Sequence, residues 1–196
     1  PRGITETYNP GKKESDYYGL GYRELEMCKE IPLVRRKEWG ARPPNAVNSF
    51  SINGGVPYVF HHHTEGADCF SKETCSEIIF MWQGVHQHHQ GWDDIGYNFL
   101  IGGNGMIFEG RGWDNVGAHT VGFNNKSVSL AFIGDFSRKV PNEYMLQAAL
   151  SLIECGIELK KISPNYTLHG QKDANCRTCP GEAFYTFMGS MSHFGG

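Results

Sequence analysis

Three consecutive histidines, His61-His62-His63, close the apolar run Val56-Pro57-Tyr58-Val59-Phe60 and give way to Thr64-Glu65-Gly66. Imidazoles at the end of a buried strand sit on a rigid element, which suits metal binding. Two further stretches carry complementary groups. Tyr97-Asn98-Phe99-Leu100-Ile101 opens on a phenol, and His169-Gly170-Gln171 through Cys179-Pro180-Gly181 offers imidazole, amide and thiol. One such stretch alone reads as polar decoration at a strand end; three together favour a site. His88 and His89, near the end of the helical run that carries His86, read as solvated.

The elements that must position these groups follow from the hydrophobic pattern. Ser71 to Gln90 sets Cys75, Ile78, Ile79, Trp82 and Val85 at helical spacing, behind Ser71 as N-cap and ahead of a stop at Gly91. Tyr97–Ile101 and Met106–Glu109 flank Gly102-Gly103-Asn104-Gly105, a hairpin signal. Ser127–Ile133 reads as a buried strand. Asn142–Leu159 follows Pro141 as a second helix, with Tyr144, Met145, Ala148, Ala149, Leu152 and Ile153 on its apolar side. Asn165–Gln171 is a last strand, and Pro180-Gly181 leads into a short C-terminal helix. This alternation predicts an α/β fold, a central mixed sheet flanked by about three helices. Residues 1–27 are polar and aperiodic, an arm or linker; the domain occupies 28–196, with 31–55 draped over its core.

A chain of 196 residues with net charge −3 gives no electrostatic case for nucleic acid or an anionic membrane surface. No apolar run approaches the ~18 to 20 residues of a membrane span. Six cysteines are many for a reduced compartment. Cys69 and Cys75 suit a small disulfide loop, and a Cys28–Cys155 bridge would pin distant segments together, which together imply secretion. The sequons at Asn125 and Asn165 agree with that. Cys176-x-x-Cys179 alone is open between redox pair, half a metal site and disulfide.

The ordered set Arg36-Lys37-Glu38-Trp39, His62-His63-Thr64, Cys69…Cys75, Gly91-Trp92-Asp93-Asp94-Ile95-Gly96-Tyr97-Asn98-Phe99, Glu109-Gly110-Arg111-Gly112-Trp113, Gly117-Ala118-His119 and Cys179-Pro180-Gly181 resembles the peptidoglycan recognition proteins. These are animal relatives of bacteriophage and bacterial zinc amidases. The resemblance implies binding of bacterial peptidoglycan by a secreted innate-immunity protein. In catalytic members two histidines and a cysteine hold Zn²⁺, a water takes the fourth position, and the amide between N-acetylmuramic acid and L-alanine is hydrolysed.

By position, the resemblance assigns metal binding to His62 and Cys179, and places Tyr97 where a hydroxyl orients the nucleophile or steadies an oxyanion. The second histidine position holds Gln171, a poorer zinc ligand. His169 lies on the same strand face but about 6.5 Å away along the chain, so it substitutes only through a bulge or register shift. Arg177 stands where relatives carry Thr or Lys and is assigned to oxyanion stabilisation. His63, Thr64, His86, Trp92, Tyr97 and His119 match residues that contact the muramyl-peptide stem. Gly91-Trp92 accompanies stems with meso-diaminopimelate, whose extra carboxylate would meet Arg111. The expectation carried forward is a zinc-dependent amidase. The alternative is a non-catalytic peptidoglycan receptor or antibacterial binding protein with a degenerate zinc site, and an oxidised Cys176–Cys179 pair would leave binding alone.

Overall fold

A computed structural model describes Cys28 and residues 30–196; the arm expected over 1–27 lies outside the described residues. In chain order the elements are β1 (Leu33–Val34), β2 (Val56–His63), α1 (Lys72–Gly84), β3 (Phe99–Ile101), β4 (Ile107–Glu109), β5 (Ser127–Phe132), α2 (Glu143–Glu158), β6 (Ile162–Gly170) and α3 (Glu182–Met188). The strands form one sheet in the order β1-β4-β3-β5-β2-β6. Only the β3–β4 hairpin is antiparallel; the other pairings are parallel. Among the described residues, the expected mixed sheet with three helices is formed.

Helices cover both faces, and the sheet's two-residue period sorts the side chains between them. Val59, Leu130, Phe132 and Leu168 pack with Met145, Ala149, Leu152 and Ile153 of α2 and with Phe184 and Met188 of α3. On the other face Leu100, Phe108 and Ala131 pack with Cys75 and Ile79 of α1. β2 lies between β5 and β6, so its backbone is satisfied on both sides and its last three residues are buried. The predicted N-cap forms, with Thr74 donating its backbone N–H to Ser71, and Asn142 caps the second helix likewise by accepting from Met145.

Four expectations change. The first helix ends at Gly84 and continues as a π-turn over Val85–His89, in which Gln90 donates its N–H to the Val85 carbonyl at 3.1 Å. The stretch expected only to drape contains β1, paired with β4. The last strand starts at Ile162, because β6 is an edge strand and an edge tolerates Pro164. It also ends before Gln171, which opens a 3₁₀ turn through Asp173. Tyr144, placed on the apolar side of the second helix, is 72% exposed. The bridges Cys28–Cys155 and Cys69–Cys75 are both present, and Cys176 and Cys179 are free.

Candidate functional site

β2 alternates Tyr58, Phe60 and His62 against Val59 and His61, so His62 points into a cleft at the carboxyl end of the sheet, and His63, at the strand's last position, also reaches its lining. His61 turns the other way and stacks on Phe184, with ring centres 5.7 Å apart. His62 Nδ1 lies 3.4 Å from Cys179 Sγ, while its Nε2 lies 3.2 Å from Thr120 Oγ1 and 3.3 Å from His119 Nδ1. Cys179 reaches this point from the loop after β6, and its sulfur accepts the His63 backbone N–H at 3.3 Å. Burial, followed by the neighbouring imidazoles, keeps His62 well below the usual histidine range. Burial pushes the Cys179 thiol up to about 12 and raises the Tyr97 phenol as well. These three groups are therefore neutral near pH 7.

The cleft has a volume of about 550 Å³. His62, His63, Thr64, His86, Trp92, Tyr97, His119, Gln171, Arg177 and Cys179 line it. His63 is held by the Phe136 N–H, donated to Nδ1 at 3.1 Å, and Thr64 Oγ1 accepts from Gly134 N–H at 3.0 Å. The π-turn aims His86, whose Nδ1 accepts the Gly96 N–H at 2.9 Å, leaving Nε2 as a donor. Trp92 packs on that ring with centres 4.7 Å apart. The loop from Gly91 to Gly96 is fixed by Asp94, which pairs with Arg36 at 2.8 Å and accepts from Gln83 Nε2 and its neighbour's Ile95 N–H, each at 2.8 Å. Gly96 allows the opposite wall to close in, since a Cβ there would meet the Ala118 carbonyl at 2.3 Å.

That wall is set by Asn124, whose Oδ1 accepts the His119 and Thr120 N–H groups at 2.9 and 2.8 Å. Asn124, Thr120, Val121, Glu65, Trp82 and Gln90 also line the cleft but were not singled out from sequence. Trp82 had a legible signal, lying four residues before His86 on one helical face. Gln90 closes the π-turn and Asn124 opens a 3₁₀ turn, while Glu65, Thr120 and Val121 sit in loops whose course no periodicity announces.

Two expected residues stand elsewhere. His169 pairs across the strands with Phe60, not His62, and its Nε2 lies 2.8 Å from Thr167 Oγ1. It is absent from the cleft lining and does not take the place of Gln171. Arg111 also lies outside that lining: its guanidinium donates to the carbonyls of Ile95, Val116 and Asp94 at 2.8, 2.9 and 3.4 Å.

A catalytic zinc site takes three protein ligands. His62 and Cys179 supply two, and Gln171 offers a neutral amide. His119 meets the far nitrogen of the His62 ring and so does not converge with Cys179. Among the described residues, no three His, Cys, Asp or Glu side chains form a group able to hold a metal ion. The residues present do not fit the expected zinc site.

Residues 36–182 match the family described as N-acetylmuramoyl-L-alanine amidase. Peptidoglycan-recognition protein LB of Drosophila melanogaster is 41% identical over 163 residues, which is 83% of this chain and 69% of that protein. The chain belongs to the peptidoglycan-recognition proteins. Among solved structures of the family, a tyrosine-to-phenylalanine variant of Drosophila PGRP-LB in complex with tracheal cytotoxin is 40% identical, with a TM-score of 0.81 over 84% of this chain and 96% of that one. The ectodomain complex of peptidoglycan recognition proteins LCa and LCx, also with tracheal cytotoxin bound, matches at 38% identity and a TM-score of 0.81, over 84% of this chain and 99% of that one. In this peptidoglycan-recognition protein, Gln171 lines the same cleft as His62 and Cys179.

Proposed function

We propose that this protein binds the muramyl-peptide unit of bacterial peptidoglycan in the cleft and acts as a receptor or antibacterial binding protein, without hydrolysing the N-acetylmuramoyl-L-alanine bond. The observation that carries this reading is the pairing of an intact cleft wall with Gln171 beside His62 and Cys179. The wall provides neutral imidazoles and aromatic faces: His86 donates from Nε2, and Trp82, Trp92 and Tyr97 surround it. Such a surface suits an amide-rich ligand, with hydrogen bonds to carbonyls and apolar cover for methyl groups. A preference for the diaminopimelate stem rests on Trp92 at the cleft. Arg111 contributes to it by fixing the wall segments at Ile95 and Val116. The two disulfides suit an extracellular setting.

Retention of His62, Tyr97 and Cys179 supports a second reading, the zinc amidase. Incubation with peptidoglycan fragments in the presence of zinc separates the two. Association measured by calorimetry, with no free stem peptide released, is the expected outcome. Stem release that a chelator stops would assign catalysis instead.

A further inference from the structure

Glu65 and Arg177 are the two residues of fixed charge that line the cleft. The imidazoles around them are pushed down by burial and carry no charge near pH 7. Glu65 has company, its carboxylate lying 3.6 Å from His63 Nε2. Arg177 has none: it is exposed, and among the described residues its guanidinium has no hydrogen-bond or ion-pair partner. The side chains of Gln171 and Thr178, which line the same end, are equally uncommitted among the described residues. The loop carrying all three is nevertheless held in place. Gly170 N–H donates to Asp173 Oδ2 at 3.0 Å, Lys172 N–H to the Cys179 carbonyl at 3.0 Å, and Asn175 Nδ2 to the Val121 carbonyl on the facing wall at 3.4 Å. A loop backbone set before binding spares that part of the ordering cost, leaving the side-chain rotamers to be ordered by the ligand.

We propose that Arg177, with Gln171 and Thr178, forms a metal-free anion subsite that takes a carboxylate of the muramyl ligand. The inference rests on the cleft reading above and names what replaces the zinc chemistry. A guanidinium offers the planar pair of donors that a carboxylate accepts, and charge-assisted bonds of this kind are the strong ones. Arg111, from which that role was expected, is committed to three backbone carbonyls and lies outside the lining. The carboxylate has two possible sources, the lactyl arm of free N-acetylmuramic acid and the stem peptide.

Calorimetric titration of the full chain tests this with two ligand pairs: N-acetylmuramic acid and its methyl ester, and muramyl dipeptide and its carboxyl methyl ester. The expected result is that Arg177→Ala weakens binding of an acid by roughly 10-fold and leaves the matching ester unchanged, while Arg177→Lys keeps part of the difference. An effect on the first pair assigns the lactyl carboxylate, and one confined to the second assigns the stem. Equal affinity of wild type for acid and ester, or no change in Arg177→Ala, overturns the subsite and leaves the cleft reading standing. Failure of wild type to bind any of the four overturns the subsite, and failure to bind diaminopimelate-containing peptidoglycan fragments as well overturns the cleft reading.

Discussion

Both ring nitrogens of His61 lie in the core without a hydrogen-bond partner, between Phe132 and Phe184. Leaving a buried polar group unpaired costs about 1 to 3 kcal/mol. His61→Leu, of similar volume, is therefore expected to stabilise the fold by an amount in that range, read as a higher denaturant midpoint with an unchanged slope. Burial holds the His61 pKa at about 3, against an ordinary 6.5. Between those values the unfolded chain binds the extra proton, so stability is complete above pH 6.5 and is lost as pH falls toward 3. Each unit in that window removes about 1.4 kcal/mol per such histidine. His119, also held at about 3, and His86, at about 4, add to the loss. His61→Leu should thus show a shallower fall in melting temperature between pH 6.5 and pH 4 than wild type. Asn124 presents a different case, since its side chain lines the cleft and also orders His119 and Thr120. Asn124→Ala frees two backbone N–H groups and is expected to cost about 1 to 3 kcal/mol, with amide shifts at His119 and Thr120 and weaker ligand binding. An unchanged spectrum there would remove Asn124 from this role.

The elements differ in how openly the sequence declares them. α1 and α2 carry side-chain N-caps and apolar stripes, and the β3–β4 hairpin carries a glycine-rich turn; these are local signals and they placed the elements within a few residues. β1 is two residues long and exists because β4 offers it an edge, a fact of tertiary pairing that no local pattern contains. The π-turn is similar. It depends on Gln87, whose amide donates to the carbonyls of Pro43 and Asp93 from another part of the chain. The two disulfides tie elements together over very different spans, 127 residues for Cys28–Cys155 and 6 for Cys69–Cys75. Loop-closure entropy then predicts a loss of about 5 kcal/mol for the double serine variant of the first and about 2 kcal/mol for that of the second. Denaturant titrations of the two variants check the order, and a larger loss from the short bridge would contradict an entropic origin.

For the molecule as a whole, parallel pairing brings distant segments to one end of the sheet: His62 from β2, Tyr97 ahead of β3, His119 after the hairpin, and Cys179 after β6. Residue types made the first and last legible as partners. The family resemblance, which implies a histidine where Gln171 stands, also marked the floor as unusual. What sequence left open was which group fills the gap, because His169 and Gln171 share a strand parity and differ only by one register step. The pairing of His169 with Phe60 decides that. The same step leaves two donors of zinc-binding type where three are needed, and the non-catalytic reading stands on that shortfall. Its most direct test is the metal content of the purified chain after dialysis against zinc, compared with Gln171→His. Wild type is expected to retain no stoichiometric metal, and Gln171→His to hold about one zinc per chain, as three protein ligands would. About one zinc per wild-type chain, lost on Cys179→Ser, would contradict it.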